Sequence, residues 1–413
     1  MKIAIIGSGI SGMTAAYLLH GEHDIHVFEA GDYVGGHTHT IDVERSREHY
    51  SVDTGFIVFN RVTYPNFCKM LDRLGVESQP TEMTFSVKDE GTNLEYSPHT
   101  LNTFFAQRRN LLSPTFYRMI YDIFRLRREL INVLEGNEEI EIGEYLKREG
   151  YSRRFHDHFI VPLGSSLWSA DPQRFQEFPL RTFVRFFKNH GFLNIINPFQ
   201  WLVIKGGSKR YVDKLTASYA DRIRLNCAVK QIARKNDCVE LTLSAGNTEQ
   251  FDHVLLATHS DQALALLNDA SQAEKEILSA IPYQENLAVL HTDSSLLPKR
   301  RSIWSSWNYI IPKEERGRAS LTYDMNILQS IRSPEEFCVT LNRPDDIDMT
   351  KEIGRFLYHH PVFTKKGETA QKRHGEISGR NRIHYCGAYW GYGFHEDGVK
   401  SALAACKYFG KGL

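Results

Sequence analysis

Lys2-Ile3-Ala4-Ile5-Ile6-Gly7-Ser8-Gly9-Ile10-Ser11-Gly12 opens the chain, and Ile25-His26-Val27-Phe28-Glu29-Ala30 follows after one helical run to His20. The order is strand, glycine turn, helix, second strand and acid, which is the βαβ unit that binds a dinucleotide. Each glycine has a mechanical task. Gly7 makes the tight turn, Gly9 admits backbone close to a pyrophosphate, and Gly12 lets helix and strand approach. The helix start, with Ser8, Ile10 and Ser11, offers unpaired N–H groups to phosphate. Glu29 is placed to accept hydrogen bonds from the ribose hydroxyls, with Ala30 beside it. An acid there repels a 2′-phosphate, so NADPH is disfavoured.

The next stretch separates flavin from nicotinamide. Glu29-Ala30-Gly31-Asp32-Tyr33-Val34-Gly35-Gly36-His37-Thr38 resembles the extended FAD signature of the flavin amine oxidase superfamily, in which a second glycine pair runs beside the pyrophosphate. The superfamily usually carries arginines where this chain has Gly31, Tyr33 and His37. Backbone donors at Gly35, Gly36 and the helix end are expected to supply most of the missing charge compensation.

Composition sets the outer limits. At 413 residues, two interleaved domains with a substantial core are expected. Fifty basic residues balance fifty acidic ones, so no global field recruits nucleic acid. The six cysteines show no C-x-x-C spacing and no partner pattern with histidines, which argues for reduced thiols and no metal site. The N-terminal apolar run is a strand broken by glycines and does not read as a signal peptide, and no apolar stretch approaches the roughly 20 residues that span a bilayer. A cytoplasmic protein is expected, in solution or resting on the inner membrane surface.

Tyr50 to Asn60 alternates as one buried strand with Gly55 at its centre; in the superfamily a glycine here, followed by Phe56, passes close to the flavin. Thr115 to Leu134 has helical periodicity, and further helices are expected near 142–150 and 152–160. The chain returns to the nucleotide domain at Ile204-Lys205-Gly206-Gly207-Ser208, followed by a helix to Ala220 and β-rich segments over Ile223–Arg234, Cys238–Leu243 and Phe251–Ala257. Val229 matches the superfamily position whose backbone meets adenine. Strands are expected at Ala288–Thr292 and Phe337–Leu341. The expected architecture is α/β: a Rossmann-type FAD-binding domain of the amine oxidase type, from 1–80, 204–262 and 376–413, interleaved with a mixed α+β substrate domain from 81–203 and 263–375.

The closing segment carries a second signal. Ile383-His384-Tyr385-Cys386-Gly387-Ala388 reads as a strand ending on glycine, and Gly393-Phe394-His395-Glu396-Asp397-Gly398-Val399 leads into a helix from Lys400 to Tyr408. The superfamily ends in the same way, with a helix N-terminus aimed at the flavin, where a positive dipole end favours reduction. The resemblance thus implies contacts to the cofactor from Gly387, Glu396, Asp397, Gly398 and Val399.

Several stretches match a narrower group. Val52 to Asn66, Ser305-Ser306-Trp307-Asn308-Tyr309, Thr322-Tyr323-Asp324-Met325-Asn326 and Gly391 to Gly398 resemble a branch of bacterial predicted NAD/FAD-binding oxidoreductases. They are similar also to the oxidoreductase-like N-terminal region of plant cyclopropane fatty-acid synthases. The resemblance spans essentially the whole chain and implies non-covalent FAD, C–H or C–N oxidation, a lipid or other small-molecule substrate, and a cyclopropane-synthase-like methyltransferase as a partner.

Within that frame His395 is the candidate base, and Trp390 and Tyr392 are the candidate frame around the reacting carbon. Two readings stand for Glu396 and Asp397: a titratable cluster beside the flavin, or a salt bridge and a helix cap. Trp168, and Trp307 with Asn308, either line the pocket or pack. Residues 104–128 and Arg181–Phe192 mix bulky apolar side chains with arginines, as a membrane-surface helix does; the alternative is a solvated face paired with Asp122 and Glu129. The leading function is FAD-dependent oxidation of a lipid acyl chain, methylated or cyclopropane-bearing. A redox-neutral flavin-dependent isomerase of an unsaturated lipid, an amine oxidase and a non-catalytic flavin-binding partner are the rivals.

Overall fold

A computed structural model describes residues 1–45, 47–134, 140–168, 171–189, 199–314 and 317–413. Ser169 and the part of the Arg181–Phe192 stretch beyond Asn189 lie outside the described residues.

Lys2–Ile6 is apolar on both faces because it is the centre of a parallel sheet. Its residues pair with Asp24–Phe28 on one side and His253–Leu256 on the other. Ile223–Arg224 and Ile383–Tyr385 complete the five strands at the two edges. One sheet therefore gathers three distant parts of the chain. The helix Ile10–Leu19 is apolar almost all round, as befits a helix pressed between this sheet and the last helix, His395–Cys406. Their approach is close: the Ser11 hydroxyl donates to the Gly398 carbonyl at 3.0 Å, and a Cβ on Gly398 would stand 2.6 Å from Ile10 Cγ2.

A meander of Val229–Arg234, Val239–Leu243 and Thr248–Phe251 flanks the parallel sheet. A seven-stranded mixed sheet forms the second layer, in the order Glu352–Pro361, Tyr283–His291, Cys338–Leu341, Leu321–Asp324, Trp307–Ile311, Phe85–Asp89 and Leu94–Tyr96. Helices Pro114–Val133, Ile142–Arg148, Val161–Trp168 and Leu180–Asn189 pack beside it around Phe116, Met119, Leu130, Phe155 and Phe183.

Four sequence expectations shift. Tyr50–Asn60 is not one strand: Glu48–Asp53 ends where Asp53 turns its carboxylate inward and Thr54 N bonds the His39 carbonyl, and a two-residue strand resumes at Val58. The helix expected at 152–160 continues to Trp168 through a π-turn over His156–Ile160. The strand at 288–292 begins earlier, at Tyr283, because its partner Glu352–Pro361 runs the same length. The last helix starts at His395 rather than Lys400, because the Asp397 carboxylate accepts from the N–H groups of Tyr392 (3.0 Å) and Phe394 (3.2 Å) and so fixes its first turn.

Candidate active site

The carboxyl ends of the parallel strands surround a cavity of about 800 Å³, where open α/β sheets take their ligands. Gly7, Ser8, Gly9, Ile10 and Ser11 form one wall. Gly7 holds φ at 99°, and a Cβ there would meet the Ala257 carbonyl oxygen at 2.9 Å. Gly12 lies behind the wall, where a Cβ would fall 1.9 Å from the Gly7 oxygen. Its task is helix-to-strand packing, as its place in the motif implies.

The second glycine pair leans on the first. Gly35 N donates to the Ser8 carbonyl at 3.1 Å, and a Cβ on Gly36 would stand 3.1 Å from Gly9 Cα. Glu29 joins the two turns: one carboxylate oxygen accepts from Ser8 N (2.9 Å) and Ser8 Oγ (2.5 Å), the other from Gly31 N (2.9 Å). Ala30, His37, Gly55, Phe56, Val229 and Gly387 also line the cavity. Gly55 is glycine because a Cβ would reach 2.1 Å from the His37 carbonyl oxygen.

Thr38 stands behind the lining. Its hydroxyl hydrogen-bonds with the Tyr211 hydroxyl (2.5 Å) and with His395 Nε2 (3.0 Å), and Tyr211 meets the same nitrogen at 3.0 Å. The His395 ring reaches the cavity wall and is otherwise enclosed. Desolvation holds its pKa well below the ordinary histidine value, assisted by His37, so the imidazole is neutral near pH 7.

Glu396 turns away from the cavity. Its carboxylate accepts from Asn66 Nδ2 (2.6 Å) and Phe67 N (3.0 Å), at the start of helix Pro65–Leu74. The Asp397 carboxylate is committed to the cap described above, and burial raises its pKa to about 6. Gly398 packs on Ile10, and Val399 is core. These four residues offer a ligand the backbone of the helix start and no side-chain group.

Trp390 also faces away, its ring 4.4 Å from that of His374. Tyr389 takes its place on the wall, with Tyr392 nearby. Trp168 and Trp307 both line the chamber, whereas Asn308 is tied into the sheet by Ser86 and Ser305. Met83, Leu167, Phe186, Leu328 and Phe363 make the deep wall apolar.

A histidine group escaped the sequence reading. His259, His359 and His360 join His37 on the cavity wall. They come from a turn and a strand far from the glycine motif. The sequence shows His359-His360 only as a doublet with no local meaning. Among the described residues no lysine or arginine lines the cavity, and Glu29 is its one carboxylate.

A glycine-cradled dinucleotide crevice that opens into an aromatic chamber is the site of a flavoprotein oxidoreductase. The chain belongs to the flavin containing amine oxidoreductases, whose family profile matches residues 10–292. It is an FAD-dependent enzyme. No curated protein matches the chain by sequence. Solved structures match its fold over nearly its whole length. A putrescine oxidase bound to putrescine has a TM-score of 0.69 at 14% identity, covering 99% of each chain. Cyclohexylamine oxidase from Brevibacterium oxydans gives 0.68 at 16%, covering 99% of each. A CLA-producing fatty acid isomerase from P. acnes gives 0.69 at 17%, covering 98% of each.

Proposed function

We propose that this enzyme oxidises a C–H bond of a lipid acyl chain, with bound FAD accepting the electrons. The observation that carries the reading is the chamber wall: Met83, Leu167, Trp168, Phe186, Leu328 and Phe363 present apolar surface with no carboxylate among them. Such a wall stabilises a long hydrocarbon by roughly 25 cal/mol per Å² removed from water, while it gives an ammonium group no counter-charge.

The residues take defined parts. Glu29 and the two glycine turns hold the dinucleotide, Val229 stands beside the base, and the start of helix His395–Cys406 directs its positive end into the cavity. Tyr392 frames the substrate side of the wall, joined by Tyr389 in place of Trp390. His395 exchanges hydrogen bonds with Thr38 and Tyr211 at that wall, and as a neutral imidazole it is a weak base.

A second support lies outside the cavity. Leu111, Leu112, Tyr117, Tyr121 and Phe124 are 45–88% exposed, and the exposed arginines Arg109, Arg118 and Arg128 stand among them. The one acid in 101–128, Asp122, is buried; it pairs with Arg118 at 3.0 Å, and Glu129 pairs with Arg125 at 2.7 Å. Both pairs expected of a solvated face therefore form, yet over 101–128 the outer surface exposes apolar, positive and a few neutral polar groups and no acid. That surface suits an anionic bilayer, from which an acyl substrate would be drawn. No helix among the described residues is long and apolar enough to cross a membrane.

The redox-neutral isomerase is the second reading, favoured by the fold match to a fatty acid isomerase. Anaerobic mixing of the holoenzyme with acyl lipids and with simple amines separates the readings. Lasting bleaching of the oxidised flavin band by acyl lipids supports oxidation. Product without lasting bleaching supports isomerisation. Bleaching by amines alone overturns the lipid reading.

A further inference from the structure

The cavity that takes a cofactor with two phosphate charges presents, among its described lining, no lysine or arginine. It presents histidines instead. The ring of His37 lies 6.1 Å from that of His259 and 5.3 Å from that of His360, and His259 lies 6.0 Å from His359. His37 directly follows Gly35-Gly36, and His259 follows the strand that packs on Gly7, so both stand at the mouth of the glycine cradle.

The members are not equivalent. His360 Nδ1 lies 2.9 Å from Asn286 Nδ2, and Asn286 Oδ1 accepts from Asn342 Nδ2 at 2.9 Å. The Asn342 bond orients the Asn286 amide so that its NH₂ faces His360, which makes His360 Nδ1 an acceptor and leaves its proton on Nε2. A doubly protonated His360 would set donor against donor. His37 is wired differently: it hydrogen-bonds to the His359 backbone, while its Nε2 is buried without a hydrogen-bond partner. His259 stacks on Tyr283 at 4.4 Å, which fixes its plane.

Resting on the FAD assignment, we propose that the cofactor diphosphate is held by His37, His259 and His359, that His360 serves as a neutral donor, and that the site takes up a proton from solvent when the dinucleotide enters. The orphaned Nε2 of His37 then gains its partner, and each cationic imidazole offsets one phosphate charge. Without an anion, burial and mutual repulsion keep His37 and His259 neutral, with pKa values near 4. The other polar and charged groups facing them are Tyr358 and Tyr283 from the mixed sheet and its approach, His395 from the last helix, and Glu29, whose carboxylate is already engaged by Ser8 and Gly31. None of these supplies a second cation at neutral pH.

The test is equilibrium dialysis of the purified holoprotein between pH 8 and pH 6, with released FAD read by fluorescence. One proton taken up with the cofactor makes binding tighten by up to tenfold per pH unit, so about a tenfold or greater fall in the dissociation constant is expected across that range. ADP-ribose, which carries the same non-titrating diphosphate, should displace FAD about equally well at both pH values, whereas adenosine, which lacks the diphosphate, should displace FAD less effectively at pH 6 than at pH 8. His37→Gln, which keeps a donor but no titratable charge, should flatten the profile, and His259→Gln provides the same comparison should His37→Gln fail to fold. A flat pH profile in the wild type, or an unchanged one in a folded variant, overturns the proposal. Absence of flavin from the purified protein would instead sink the cofactor assignment beneath it.

Discussion

The imidazole of His395 lies flat on the phenyl ring of Phe56, ring centroids 3.4 Å apart and planes 11° apart. Phe67 and Tyr211 meet the same imidazole edge-on. With one ring face stacked on Phe56 and Nε2 engaged by two hydroxyls, His395 is suited to hold the shape of the flavin wall and the hydroxyls of Thr38 and Tyr211. Replacement by Gln, which can keep those hydrogen bonds, is expected to lower the rate of flavin reduction by less than about tenfold. A general base would lose about 10²–10⁴-fold. Stopped-flow reduction of both proteins from pH 5 to 9 decides; a loss of the larger size, with an inflection removed, would identify His395 as the base.

Glu29 holds Ser8 and Gly31 in addition to its expected contact with ribose. Glu29→Ala should therefore weaken FAD binding by about one to two orders of magnitude, at about 1.5–3 kcal/mol for a hydrogen bond to a charged group. Titration of deflavinated protein with FAD measures it, and an unchanged dissociation constant would reduce Glu29 to a brace of the turn.

The buried histidines set the acid limit of the fold. Desolvation first, and neighbouring histidines second, lower His37 and His259 to about 4 and His360 to about 3. In the unfolded chain they titrate near 6.5. Between those values the unfolded state binds more protons, so stability must fall as pH drops from 6.5 towards 4. Asp53 opposes the trend. Burial raises it to about 7, against hydrogen bonds from Thr40 and Ser208, so the folded state keeps a proton there that the unfolded state releases above about 4. Thermal melts of the flavin-free protein should show a falling Tm over this window, and Asp53→Asn, provided it folds, should make the fall steeper. A melting temperature independent of pH would mean that these rings are solvated.

Gly55 tests how closely the glycine loop and the His37 loop meet. Gly55→Ala forces a Cβ towards a backbone oxygen 2.1 Å away, and overpacking of this kind costs about 1–3 kcal/mol or more. A lower Tm and loss of bound flavin are expected, whereas Gly21→Ala, with open space around it, should leave both unchanged. Equal behaviour of the two variants would count against the close contact.

The parallel sheet was legible because its signals are local: an apolar run, three glycines with fixed tasks, and an acid at the end of the second strand. The same holds for helix Pro114–Val133, whose buried positions keep the 3.6-residue period. The site was only half legible. Trp390 and Tyr392 are two residues apart, yet the short helical turn Ala388–Trp390 sends their rings to opposite sides. Asp397 read equally well as a ligand or a cap, since the choice depends on whether Tyr392 N and Phe394 N lie within reach. The histidine group was invisible because His37, His259 and His360 meet only through the packing of the mixed sheet against the glycine turns.

The exposed face of helix Pro114–Val133 gives the last prediction. Tyr117, Tyr121 and Phe124 recur at helical spacing, so they form one stripe, and Leu111 and Leu112 extend it at the helix entry. Apolar side chains so exposed would gain by entering a bilayer interface, and Arg109 and Arg128 would each add roughly 1 kcal/mol of attraction to an anionic surface, whereas Arg118 is already offset by Asp122. Binding should therefore need both terms. Cosedimentation with phosphatidylglycerol-containing vesicles at low salt is expected, with weaker binding to pure phosphatidylcholine vesicles and further weakening as salt screens the arginines. Leu112→Asp with Phe124→Asp should abolish binding while leaving flavin content intact, since neither side chain reaches the cavity. Binding to neither vesicle would leave this face as plain surface and remove the bilayer as the source of the substrate.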